Sequence, residues 1–140
     1  MIIAFWCVLI AGVLPLACAY VAKLAPRESG ADTDAAAARY DNREPRAWLA
    51  RQTGRRARAN AAQANSWEAF PFFAAGVVIA VLQHVRIATI DLLAITFIVA
   101  RVAYIACYVA DLAPVRSLVW GIGFSACLAL YLFAATGTLR

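Results

Sequence analysis

Four stretches of this chain are too long, too apolar and too poor in charge to be the buried side of a water-soluble domain. Residues 1–22 carry no charged side chain, and residues 60–82 carry only Glu68. Residues 87–110 carry Asp91 and Arg101, and residues 117–139 carry none. A helix of about 20 apolar residues crosses the hydrocarbon core of a bilayer, and every stretch reaches that length. Lipid offers the backbone no hydrogen-bond partner, so only helices and closed barrels span it. Barrel strands alternate apolar and polar residues over about ten positions, whereas Phe73-Ala74-Ala75-Gly76-Val77-Val78-Ile79-Ala80 does not alternate. The sequence therefore predicts an all-α membrane protein, a bundle of four transmembrane helices in one domain covering residues 1–140. The helices are expected at about 1–23, 47–82, 87–110 and 115–138, with a loop over about 24–46.

Composition agrees. Apolar types make up 64% of the 140 residues and charged types 15%, against roughly half and a quarter in soluble domains. A net charge of +5 would suit nucleic acid in a soluble chain. In so apolar a chain it marks a membrane face and anionic lipid instead, and no nucleic-acid partner is expected. Cys7, Cys18, Cys107 and Cys127 all lie in apolar runs, without a CxxC or a histidine at ligand spacing. They read as small buried thiols, and no metal site is expected. The first stretch reads as a retained span, although Ala17-Cys18-Ala19 resembles a small-residue cleavage site. It has no basic segment before its apolar run, the first cation being Lys23.

Lysine and arginine in the connections set orientation. Nine of the thirteen cations lie between Lys23 and Arg58, and Arg116 lies in the third connection. Those two connections share a side in a four-span protein. That side is expected to be cytoplasmic, with both termini outside, in a multi-pass protein of the cell inner membrane. Pro45 suits the first turn of a helix. The residues from Ala47, with Trp48, Leu49, Arg51, Arg55, Arg56 and Arg58, suit an interfacial helix that runs on into the second span.

Ionisable side chains within a span are costly, face the bundle interior and are usually paired. Counting 1.5 Å per residue, Glu68 lies about 12 Å past Asn60, and Arg101 lies about 13 Å before Ala110. Their depths match, and a structural ion pair between Glu68 and Arg101 is expected. Asn65 precedes Glu68 by three positions and shares its helix face. Gln63 faces about 160° away from Asn65. Arg101, Tyr104, Tyr108 and Asp111, spaced three, four and three, form one stripe that leads to the turn before Arg116. Asn65, Glu68, Tyr104, Tyr108 and Arg116 thus converge on the cytoplasmic half of the membrane. Polar glue between helices explains such a set; an anionic ligand held by charge-assisted bonds is the other explanation. Pro71 reads as a kink, Asp91 has no assigned role, and His84 reads as a solvated turn residue.

These motifs together resemble a known family. Arg58-Ala59-Asn60-Ala61-Ala62-Gln63-Ala64-Asn65-Ser66-Trp67-Glu68-Ala69-Phe70-Pro71 is similar to the second-helix signature of MAPEG, the membrane-associated proteins in eicosanoid and glutathione metabolism. Tyr40-Asp41-Asn42-Arg43-Glu44-Pro45-Arg46 resembles its bacterial branch. Arg101-Val102-Ala103-Tyr104, Tyr108 and Pro114-Val115-Arg116-Ser117 resemble its third helix and following turn. The likeness covers about residues 1–135, and its strength lies in the order of the motifs, since each alone is weak.

The resemblance implies a homotrimer of four-helix protomers with glutathione held between them near the cytoplasmic face. By position it implies Arg116 as the catalytic residue that stabilises the glutathione thiolate. It likewise implies Gln63, Asn65, Glu68, Tyr104 and Tyr108 as cofactor-binding residues and Arg101 as a structural one. The chain departs at Ala61, where glutathione-binding members usually carry arginine; Arg58 lies one turn earlier. Two readings follow. One is a glutathione-dependent transferase or peroxidase acting on small lipophilic electrophiles. The other is a non-catalytic membrane scaffold whose polar core is structural. Transport is weaker, because neither internal repeats nor broken mid-membrane helices are evident.

Overall fold

The computed structural model describes residues 3–26 and 40–137. Five helices make up the described chain: α1 (Ile3–Leu24), α2 (Pro45–Ala50), α3 (Gly54–Leu82), α4 (Ile87–Val109) and α5 (Ala113–Thr136). Four of them, α1, α3, α4 and α5, are long and apolar enough to cross a membrane. The protein is a multi-pass membrane four-helix bundle. Large apolar side chains such as Leu9, Leu92, Val99, Leu118 and Leu132 point outward, as they do where lipid rather than water is the solvent.

Expected and observed spans agree to within about two residues for α1, α4 and α5. The second span differs. In place of one helix over 47–82, the chain makes α2, breaks at residues 51–53 and restarts as α3. The cause is local. Thr53 is extended (φ −121°, ψ 173°), and Gly54 takes a left-handed φ of 57°, a conformation that glycine adopts without the Cβ clash. Of the expected loop, residues 27–39 lie outside the described residues. Its ends are tied together by Trp48, which is 2% exposed. Tyr40 meets Trp48 edge-on at 5.2 Å, Lys23 lies over the Tyr40 ring at 4.4 Å, and Arg56 donates Nε–H to the Ala25 carbonyl at 2.8 Å.

Helix α3 is the hub, with α1, α4 and α5 all against it, and α4 and α5 pair closely on one side. Between membrane helices there is little hydrophobic drive, so packing depends on close approach at small residues. The buried face of α1 is Ala4, Cys7, Ala11, Pro15, Cys18 and Ala22, all small and spaced three or four apart. Larger groups fill the centre, where Phe73 of α3 stacks on Phe97 of α4 with centroids 3.9 Å apart. Tyr131 of α5 donates its hydroxyl to the Phe72 carbonyl at 2.7 Å. Its ring lies so close to α3 that a Cβ on Gly76 would sit 2.9 Å from it.

The helix ends have identifiable caps. His84 and Asp111 adopt left-handed φ values of 59° and 64°. Val85 N–H donates to Ala80 and Leu112 N–H to Cys107, and His84 N–H and Asp111 N–H donate to Val81 and Tyr108. Both turns are Schellman motifs built without the usual glycine. Asp91, which the sequence left without a role, accepts the Ala4 N–H at 2.8 Å. It serves the first turn of α1, whose N–H groups have no partners within the helix.

Gly76→Ala should lower the melting temperature in detergent, since a rigid aromatic ring must move; overpacking of this kind costs about 1–3 kcal/mol. Gly121→Ala is the internal control, because nothing lies within 4 Å of its added Cβ. Better helix propensity should leave that variant as stable as the parent or slightly more so.

Candidate functional site

Three helices supply the polar residues. Helix α3 presents Asn65, Ser66 and Glu68; α4 presents Arg101, Tyr104 and Tyr108; α5 begins with Pro114 in its first turn and presents Arg116 one turn in. Arg101 is 4% exposed, as is Ser66. Its guanidinium donates to Asn65 Oδ1 at 2.9 Å and to Ser66 Oγ at 3.0 Å. Ser66 in turn donates to the Ala62 carbonyl at 2.7 Å, so its hydroxyl is used both as donor and as acceptor.

The expected direct ion pair between Glu68 and Arg101 does not form. Among the described residues Glu68 is reached through Asn65, whose Nδ2 donates to Glu68 Oε2 at a long 3.4 Å. Two neutral acceptors one turn nearer satisfy Arg101. Glu68 stays exposed and avoids the desolvation that a buried carboxylate would suffer. Ser66, which takes over part of the role expected of Glu68, was not singled out in the sequence. Ser66 lies on the buried face of α3 with Ala59, Ala62 and Phe73, and its being the one polar residue of that face was the available signal.

From Arg101 a series of cations and rings runs toward the basic end of the bundle, where α2 lies. The Arg101 guanidinium lies 4.4 Å from the Tyr104 ring centroid. Tyr104 meets Tyr108 edge-on at 5.5 Å, and the Arg116 guanidinium lies 4.3 Å from the Tyr108 centroid. Each cation over a ring face is held by the ring's negative quadrupole. A ring contact of this kind consumes none of the guanidinium's five N–H donors. Among the described residues no carboxylate lies within the 4 Å of an ion pair from Arg116. Arg58 is placed differently. It donates to the Val109 carbonyl at 3.3 Å and approaches Asp111 at 3.6 Å. It therefore ties α3 to the end of α4 and does not replace the arginine that Ala61 lacks.

A cavity of about 220 Å³ opens between α3, α4 and α5. Asn65, Glu68 and Arg101 form its polar end, and Phe72, Phe97, Trp120, Phe124 and Cys127 line its apolar end. Tyr104, Tyr108 and Arg116 stand beside this cavity rather than in its wall. Arg116 precedes Trp120 by four residues on α5, one helical turn or about 6 Å along the axis. Gln63 is not in the wall either. Its Oε1 is buried and accepts no hydrogen bond from the described residues. The structure thus brings together Asn65, Glu68 and Arg101 in one group and Tyr104, Tyr108 and Arg116 in an adjoining one.

The arrangement can hold a neutral or zwitterionic molecule at the polar end and an apolar one beyond it. It can also place Arg116, which no described carboxylate engages, next to either. Arg101→Gln should lower the melting temperature, because Asn65 and Ser66 lose a buried donor; each unsatisfied buried group costs about 1–3 kcal/mol. Glu68→Gln should leave it nearly unchanged. A larger loss for Glu68→Gln than for Arg101→Gln in thermal unfolding would restore the direct ion pair as the main contact.

In comparisons with known proteins, the family whose model matches is the MAPEG family, over residues 3–136. Neither a curated protein nor a solved structure matches the chain.

Proposed function

The chain belongs to the MAPEG family, and we propose that it is a thiol-dependent enzyme of the bacterial inner membrane. In this reading it binds glutathione or another small thiol at the polar end of the cavity and conjugates or reduces lipophilic electrophiles, as a transferase or peroxidase. The observation that carries the proposal is Arg116, held on the face of Tyr108, apart from any described carboxylate and one turn from the cavity wall. A cation so placed favours an anion. A thiol of pKa near 8.5 is mostly protonated at neutral pH, and a neighbouring cation shifts it toward the nucleophilic thiolate.

The donors and acceptors present suit the peptide in part. Glu68 offers an exposed carboxylate to an ammonium group, and Asn65, Tyr104 and Tyr108 offer hydrogen bonds. Gln63, whose Oε1 is buried outside the cavity wall, offers the peptide no contact within this protomer. Ala61 offers nothing to a carboxylate, and Arg58 is engaged with Val109 and Asp111. Carboxylate anchoring then falls to a neighbouring protomer, in keeping with the homotrimer that the family resemblance implies. Glutathione supplies the sulfur nucleophile; the chain's own residues orient it and hold its charge. The cavity is too small to enclose a tripeptide together with an electrophile, so the peptide lies across its polar mouth. The positive-inside bias supports a cytoplasmic location for this polar group, with both termini outside.

The scaffold reading rests on a different observation. Arg101, Asn65 and Ser66 satisfy one another within a single protomer, as structural glue does. Arg116 separates the two. Arg116→Ala should lower kcat/KM for thiol conjugation by about a hundredfold, the scale of losing one preorganised anion-stabilising group. It should also move the pH–rate profile to higher pH and leave the melting temperature in place. Millimolar glutathione should raise the melting temperature of the parent by mass action. No glutathione shift, together with equal stability loss in Arg116→Ala, would decide for the scaffold.

A further inference from the structure

Three rings of the cavity wall, Trp120, Phe124 and Phe72, belong to a longer stacked series that ends at Tyr131. Trp120 and Phe124 stack at 5.1 Å with planes 5° apart, Phe124 and Phe72 at 6.1 Å and 18°, and Phe72 and Tyr131 at 4.7 Å and 17°. Four near-parallel rings from α3 and α5 therefore form one continuous series. Tyr131 is pinned at its far end by the Phe72 carbonyl and the cleft at Gly76, so the series is preorganised. At its near end Trp120, Phe124 and Phe72 remain about 40% exposed. Flexible chains gain nothing special from such a surface, whereas a flat ring extends it by offset stacking.

The polar end adds a second requirement. Arg101 has five N–H groups, and two of its nitrogens already serve Asn65 and Ser66. It lines the cavity and suits an acceptor oxygen. Glu68 lines the same end, so the opposite charges there balance and favour a neutral ligand over an aromatic acid. Size sets the third requirement. A cavity of about 150 Å³ takes benzene, and about 220 Å³ takes one substituted ring or a compact pair of rings.

We infer that the cavity takes a neutral, planar, ring-oxygenated electrophile of the para-quinone class, stacked on Trp120 and Phe124 with one oxygen toward Arg101. This names the substrate class of the thiol-dependent reading and rests on it. The addition balances without an external oxidant or reductant. The thiolate sulfur bonds to a ring carbon conjugated with a carbonyl, and the carbon–carbon π pair moves onto the carbonyl oxygen. The proton given up by the thiol and the one lost from the attacked carbon end on the two oxygens. The product is a hydroquinone thioether.

The test uses duroquinone, whose four ring positions are methylated, so that binding is read without conjugation. Full-length protein in nanodiscs, with no thiol present, is titrated by thermal shift with duroquinone and with a linear ketone of matched partition coefficient. Duroquinone should give a saturable rise and the ketone none. Trp120→Leu and Phe124→Leu should each weaken duroquinone about three- to tenfold, the scale of one lost ring–ring contact. Trp6→Leu, on the outward face of α1, should leave it unchanged. Equal response to the ketone, or parental affinity in both cavity variants, overturns the inference. Duroquinone binding without a glutathione response would sink the thiol reading and leave the cavity assignment standing. Thiol turnover without duroquinone binding would do the reverse.

Discussion

Inside a bilayer a guanidinium cannot shed its proton and finds no bulk water, so its N–H groups must meet acceptors supplied by the protein. Arg101 meets this demand with Asn65 and Ser66 of α3 and with the face of Tyr104 on its own helix. The result sets the register of α4 against α3. Tyr104 and Tyr108, four positions apart on α4, meet within that one helix, and the register brings Arg101 to the cavity that Glu68 also lines. A shift of one residue along α4 would carry Arg101 about 100° around its helix, away from both acceptors.

Packing around that contact relies on smallness rather than bulk. The α1 face of Ala, Cys and Pro residues lies close on α3, and Gly76 admits the Tyr131 ring. Gly123 likewise brings its backbone near Ala100, where an added Cβ would lie at 3.2 Å. Large residues are concentrated where they shape space: Phe73 and Phe97 fill the centre, and Trp120, Phe124 and Phe72 wall the cavity. The bundle is tight on its α1 side and open between α3, α4 and α5. The polar series and the apolar series both border that opening.

Much of this was legible in the chain. Charge-poor runs of 22 to 24 residues specify spanning helices because hydrocarbon excludes unpaired backbone. Residues three and four apart on a helix share a face, so the stripe of Arg101, Tyr104 and Tyr108 could be read directly. The partner of Arg101 could not. Matching depths of Glu68 and Arg101 were correct as axial positions, but depth says nothing of which rotamer reaches which acceptor. The break before Gly54 was missed because the basic, helix-favouring residues on either side hide a single left-handed glycine. Asp91 capping Ala4, 87 positions away, has no local signal at all.

By itself the sequence determined the number of spans, which follows from transfer energies and helical period within each segment, and the family, which is carried by the order of its motifs along the chain. Only the tertiary structure decided that Asn65 and Ser66 hold Arg101, that Arg116 rests on Tyr108, and that four rings from two helices stack beside a cavity. Those outcomes depend on the rotation of each helix about its axis and on how closely neighbours approach. Both are settled by side-chain packing between segments distant in the chain, which no one-dimensional pattern encodes.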